Sequence, residues 1–144
     1  MTNSNIEQSP DEIHLNNSEI ALKFWMTVPP ENVASGLSFW SAPGDGCGTI
    51  SCFGGWCPKI PEFKAMGLRT DGFGAPKHSN MRLFKPSMIA EYLFGDEDMF
   101  APSHKYVESF GCDYDKTAPK DCTDHELVQH RLEQNIKRLR KLND

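Results

Sequence analysis

Long hydrophobic runs are missing from this sequence, and so is an excess of positive charge. No stretch of about eighteen consecutive apolar residues occurs, and residues 1–17 are polar and acidic where a secretory signal is basic and then apolar. We therefore predict a protein that neither spans a membrane nor follows that export route. The formal net charge of −5 argues against non-specific nucleic-acid binding, which needs clustered Lys and Arg to neutralise phosphates.

The cysteines lack the spacing of a zinc site, in which paired cysteines are separated by two residues. Cys47, Cys52 and Cys57 are five apart, and on a helix each such step turns the side chain by about 140°, so the thiols cannot converge on one ion. The total of five cysteines leaves at least one thiol unpaired in any intramolecular disulfide scheme, which is typical of a reducing cytoplasm. We predict buried free thiols, no metal, no cofactor and a cytoplasmic location.

The length of 144 residues fits one domain, and nine Phe, three Trp and three Tyr supply enough apolar area for a core. Residues 1–17 are rich in Asn, Ser, Asp and Glu, so we predict a disordered tail there. Ser18 is the predicted N-cap of a first helix, which the Pro29–Pro30 pair ends. The fold class predicted for residues 18–144 is a compact, mainly α single domain with at most a minor short hairpin.

Cap and terminator residues delimit the later helices. A short helix is predicted around Pro61–Met66, ending at Gly67, and Ser87 is the predicted cap of a helix over Met88–Phe94 that ends at Gly95. Thr123 and Glu126 form a capping box that starts the last helix, which runs to about Leu142. Its apolar stripe recurs at helical spacing and consists of Val128, Leu132, Ile136 and Leu139.

The densest motif runs from Cys47 to Cys57, and Thr49 is a candidate cap for a short helix inside it. A thiol near the start of a helix has a lowered pKa, so Cys47 or Cys52 is a candidate nucleophile with His125 as a candidate base. A cysteine-dependent hydrolase is therefore the alternative interpretation. Because no nucleophile signature that transfers between families is present, the main interpretation is a scaffold packed against the first and last helices.

A locally basic stretch supplies the candidate ligand site. The Gly-rich segment from Gly72 to Asn80 is predicted to be a loop whose backbone N–H groups could hold an anion. The side chains predicted to assist it are Lys77, His78, Arg82 and Lys85. The competing interpretation is an ordinary solvated surface, or one that pairs with the acidic stretch over residues 96–126.

One further pattern combines the glycine-rich motif with later short motifs, in the order Cys47-Gly48-Thr49, Cys52, Gly54-Gly55-Trp56, Gly74-Ala75-Pro76 and Leu93-Phe94-Gly95. It resembles a group of small uncharacterised bacterial and phage proteins with a C-G-T-x-x-C-x-G-G/A-W/H core. The resemblance implies a phage or prophage accessory protein acting in the cytoplasm of a bacterial host. We therefore expect a non-enzymatic binding protein whose partner is a host protein or a small anionic, nucleotide-like ligand.

Overall fold

The computed structural model describes residues 9–33, 52–70, 76–79, 83, 85–101 and 113–143. These residues form a compact, mainly α fold with one short antiparallel hairpin, as predicted. The helices are α1 (Pro10–Trp25), α2 (Phe53–Trp56), α3 (Pro61–Ala65), α4 (Pro86–Phe94) and α5 (Asp124–Asn143), and the strands are β1 (Leu68–Thr70) and β2 (Pro76–His78). Single 3₁₀ turns lie at Pro30–Asn32, Cys57–Lys59, Glu97–Phe100 and Asp113–Thr117.

Helix α1 begins earlier than predicted. Ser9 is its N-cap, with its hydroxyl oxygen accepting the Glu12 backbone N–H at 3.2 Å, and Pro10 occupies the first helical position. Ser18, the predicted N-cap, lies inside the helix and is buried. The predicted tail over residues 1–17 is therefore wrong for residues 10–17, while residues 1–8 lie outside the described residues.

Helix α5 confirms the predicted capping box. The Thr123 hydroxyl oxygen accepts the Glu126 backbone N–H at 3.1 Å, and a Glu126 carboxylate oxygen accepts the Thr123 N–H at 2.9 Å. The predicted stripe is buried at all four positions, namely Val128, Leu132, Ile136 and Leu139. Because Trp25 meets His125 and Ser18 meets Asn135, α1 and α5 run antiparallel.

Aromatic rings fill the core between α1, α4 and α5. Phe53 contacts Trp25 at a ring distance of 5.3 Å and Phe94 at 5.6 Å, and Phe63 contacts Phe94 at 5.8 Å. Such pairs contribute about 0.5–1.5 kcal/mol each beyond the area they bury. Helix α2 therefore packs in the core against α1 and α4, whereas the sequence analysis predicted that the motif packs against the first and last helices.

The start of that motif differs from the prediction in part. Helix α2 begins at Phe53 with Cys52 as its N-cap, and no side chain caps it. Cys47 and Thr49 lie outside the described residues. Pro58 falls in the 3₁₀ turn that follows α2. Because proline has no backbone N–H, it disfavours continuation of the α-helix.

Both predicted glycine terminators are confirmed. Gly67 follows α3 with a φ of 100°, and Gly95 ends α4 with a φ of 73°. Both lie in the left-handed region that glycine enters without strain. The start of α4 differs from the prediction, because Lys85 is its N-cap and Ser87 lies within its first turn.

The C-terminal end of α4 is capped by side chains from α1 and α5. An α-helix leaves its last carbonyl groups without intrahelical partners, and burial makes this costly unless other donors reach them. Asn17 Nδ2 donates to the Leu93 carbonyl oxygen at 2.9 Å, and Asn135 Nδ2 donates to the Phe94 carbonyl oxygen at 3.0 Å. These two hydrogen bonds join α1 and α5 to the C-terminal end of α4.

One more side chain completes this cap. Arg138 Nη2 donates to the Gly95 carbonyl oxygen at 3.5 Å and to Asn135 Oδ1 at 2.7 Å. The last turn of α4 is thus held by polar groups that lie far apart in the sequence.

A buried ion pair joins α5 to the 3₁₀ turn over Asp113–Thr117. Arg131 is fully buried, and its Nε and Nη2 atoms donate to the two carboxylate oxygens of Asp115, both at 2.7 Å. Its Nη1 atom donates to the Ala101 carbonyl oxygen at 2.8 Å. This planar, two-point geometry is the one that a guanidinium and a carboxylate favour.

Candidate functional site

The hairpin places two cations side by side. In its antiparallel register Leu68 lies opposite His78 and Arg69 lies opposite Lys77. Successive residues of a strand point to opposite faces, so one face carries the buried Leu68 and the other carries the exposed Arg69 and Lys77. Directly opposite residues have Cβ atoms about 4.5–5.5 Å apart. The outer face of the hairpin therefore presents a paired positive charge.

The four side chains predicted to form one anion site are divided by this geometry. Lys77 and His78 lie in strand β2, where a loop was predicted, and they point to opposite faces. The His78 ring packs edge-on against Tyr92 of α4 at 5.2 Å. Lys85 is exposed at the N-cap of α4, and Arg82 lies outside the described residues.

Arg69 is the partner of Lys77 that the sequence analysis did not select. It belongs to the same basic stretch, but only the cross-strand register brings it opposite Lys77. Like charges directly opposite each other repel and destabilise a strand pair. An anion between the two side chains would remove that repulsion, so the pair is a better candidate site than the predicted set.

The Cys52 and Cys57 thiols are not activated for catalysis. Burial raises the pKa of the Cys52 thiol to about 11 and raises that of Cys57 well above its usual value. A thiolate is the reactive form, so at neutral pH these two thiols are protonated and inert. Cys122 is also buried, and Cys47 and Cys112 lie outside the described residues.

His125, the candidate base, is used to join α1 and α5. Its Nε2 atom lies 3.0 Å from the Trp25 carbonyl oxygen, and since a carbonyl only accepts, this nitrogen carries the hydrogen and donates. In return, Trp25 Nε1 donates to the His125 carbonyl oxygen at 2.9 Å, and the two rings stack at 5.0 Å. This reciprocal contact gives His125 a structural role in the described part of the fold.

Comparisons with known proteins assign this chain to no family. None of the protein-family models, curated proteins or solved structures with which the chain was compared matches it. Within the described segments, no three His, Cys, Asp or Glu side chains are grouped so that they could hold a metal ion. No helix in those segments combines the length and the hydropathy needed to cross a bilayer.

Proposed function

We propose that this protein is a non-enzymatic binding protein and that the outer face of its hairpin binds a small anionic, phosphate-bearing ligand. The observation that supports this most directly is the exposed Arg69 opposite Lys77 on a two-stranded hairpin. The guanidinium offers a fork that matches two phosphate oxygens, and the ammonium adds a mobile point charge. A nucleotide or another phosphate ester has the chemistry that such a pair would recognise.

The properties of Cys52 and His125 favour binding over catalysis. The Cys52 thiol is protonated at neutral pH, and the Nε2 atom of His125 donates to a backbone carbonyl. The alternative function, a cysteine-dependent hydrolase, would have to rely on Cys47, the other candidate nucleophile, which lies outside the described residues. The resemblance to bacterial and phage proteins adds the proposal of an accessory role in a host cytoplasm.

A titration with inorganic phosphate and a panel of nucleotides tests the anion site. We expect thermal stabilisation by at least one of them at millimolar concentration, and weaker binding as salt is added. Arg69→Ala and Lys77→Ala should each weaken binding by about 1–3 kcal/mol, the range for a charge-assisted hydrogen bond, and leave stability almost unchanged.

Lys120→Ala is the matched control, because it removes the same charge from an exposed residue outside the hairpin. If this control weakens binding as much as Lys77→Ala does, the effect reports net charge and the hairpin is not the site. A panel without any stabilising compound would contradict the proposal and favour a host protein as the partner.

A further inference from the structure

The outer face of the hairpin is formed by few side chains. Strands β1 and β2 are each three residues long, and successive side chains of a strand point to opposite faces. Arg69 and Lys77 are the middle residues, so the first and last residues of both strands point to the other face. The strands therefore add no aromatic or apolar side chain to the face that carries the two cations.

The positive charge of this face is not cancelled by a carboxylate of the described segments. Ion pairs in those segments are formed by Arg131 and Arg140, whereas Arg69 and Lys77 are exposed and have no carboxylate partner there. Two like charges that lie directly opposite each other destabilise a strand pair. A ligand that cancels both charges therefore gains more than a ligand that cancels one of them.

The two side chains also offer donors of different geometry. The Arg69 guanidinium is a planar fork that reaches two oxygens at once, and the Lys77 ammonium is a single charged group on a flexible stem. Residues directly opposite each other have Cβ atoms about 4.5–5.5 Å apart, so both long side chains can close on one small group. Together they present a fork, a third donor and two positive charges.

We infer that the hairpin recognises a terminal phosphomonoester group, an inference that rests on the proposed function and narrows its ligand class. A phosphomonoester carries three terminal oxygens and a charge of about −1.5 to −2 at neutral pH. The guanidinium takes two of these oxygens and the ammonium takes the third, so that donors and charges are both matched. A phosphodiester has only two such oxygens and one negative charge, and it leaves a donor and a charge unmatched.

A pair of methyl esters tests this inference on the full chain. Methyl phosphate and dimethyl phosphate are titrated at pH 8, where the monoester is a dianion, and binding is followed by the NMR shifts of the backbone amides. We expect methyl phosphate to bind about tenfold or more tightly than dimethyl phosphate, because the additional negative charge attracts both cations. The largest shifts should lie at Arg69 and Lys77.

The outcomes separate this inference from the proposed function. Equal affinities for the two esters, with shifts at the hairpin, would overturn the inference and leave a general anion site in place. If neither ester binds at millimolar concentration, the proposed function fails together with the inference. A preference for the monoester with shifts confined to another part of the chain would also overturn the inference.

Removal of the ammonium tests the role of the third donor. Lys77→Met keeps a long side chain but removes its charge, so the preference for methyl phosphate over dimethyl phosphate should fall to about threefold or less. Lys120→Met is the matched control, because it makes the same change at an exposed residue outside the hairpin, and it should leave the preference unchanged. A preference that survives Lys77→Met, or that falls equally in the control, would contradict the assignment of the third oxygen to Lys77.

A phosphopeptide distinguishes the two sources of a terminal phosphate, which are small molecules and phosphorylated side chains of proteins. A short peptide with one phosphoserine should bind about tenfold or more tightly than the same peptide with serine, and equal binding of the two would overturn the inference. A phosphopeptide affinity close to that of methyl phosphate supports a small phosphate ester as the ligand. An affinity about tenfold higher than that of methyl phosphate supports a phosphorylated protein, because contacts beyond the phosphate then contribute.

Discussion

Removal of the Asp115 carboxylate is the perturbation whose cost follows most directly from the structure. Asp115 is 4% exposed, and its partner Arg131 is fully buried. Asp115→Ala deletes both acceptors of the 2.7 Å hydrogen bonds that a fully buried guanidinium donates. Removal of one partner of a buried ion pair is among the few changes that cost several kcal/mol.

The magnitude can be worked from these contacts. Two hydrogen bonds to charged groups contribute about 1.5–3 kcal/mol each, or about 3–6 kcal/mol together. Removal of one partner from a buried ion pair costs about 3–5 kcal/mol, in agreement with that range. For a chain of this size each kcal/mol lowers the melting temperature by about 2–4 °C, so we expect a drop of about 6–20 °C.

Urea unfolding followed by circular dichroism measures this loss, with Asp121→Ala as the exposed control that should stay within about 0.5 kcal/mol of the parent. Arg131→Met completes a double-mutant cycle. The double variant Asp115→Ala/Arg131→Met should be more stable than the sum of the two single losses predicts, because each single loss already includes the mutual interaction of the pair. A loss below about 1 kcal/mol for Asp115→Ala, or additive losses in the cycle, would refute the reasoning.

Three further predictions concern His14, Cys52 and Gly95. Burial lowers the pKa of His14 from 6.5, so the unfolded chain takes up this proton first as the pH falls. The stability that neutral His14 contributes is therefore present above about pH 6.5 and is lost as the pH falls through the folded-state pKa. Urea titrations at a series of pH values should show a weaker pH dependence for His14→Gln, and an identical dependence would contradict this. With a pKa of about 11, Cys52 should be alkylated by iodoacetamide about 100-fold more slowly in the native protein than after unfolding, as peptide mass spectrometry can measure. Similar rates would restore the nucleophile hypothesis. Gly95→Ala places a Cβ 2.7 Å from His14 Nδ1 at a φ of 73° and should cost about 1–2 kcal/mol in urea unfolding, whereas an unchanged midpoint would show that the turn relaxes freely.

Features encoded in adjacent residues could be predicted from the sequence. The Thr123 and Glu126 capping box, the buried stripe of α5 and the glycine terminators at Gly67 and Gly95 each depend on a few neighbouring positions. Capping boxes and left-handed glycines depend on short-range contacts and form in the same way in most proteins. Their sequence patterns therefore predict the local structure directly.

The start of α1 was missed although its signal was present. Ser9, Pro10 and the acidic Asp11 and Glu12 form a helix start, but the polar composition of the segment favoured a tail. The buried role of Asn17 could not have been predicted, because the carbonyl it caps belongs to Leu93, 76 positions away. The composition of a segment does not show which of its side chains make long-range contacts. Here the contact of Asn17 with the Leu93 carbonyl group decided whether the segment is a tail or a helix.

The candidate site depended on strand register in the same way. The basic stretch was visible, but the pairing of Arg69 with Lys77 required a hairpin whose strands are three residues long. Such short strands have too few positions to show an alternating pattern. The sequence therefore located the positive charge without showing which side chains face each other.

The reciprocal contact of Trp25 with His125 has a consequence for how the chain matures on the ribosome. These residues are 100 positions apart. The cap on α4 is likewise complete only after Asn135 and Arg138 have been synthesised. Helices α1 and α4 are synthesised before α5 and must remain without it while the intervening residues are added. During that interval Trp25 has no His125 to stack on, and the Phe94 and Gly95 carbonyl groups have no donors from α5, so the partly synthesised chain has an incomplete core of the kind that favours aggregation.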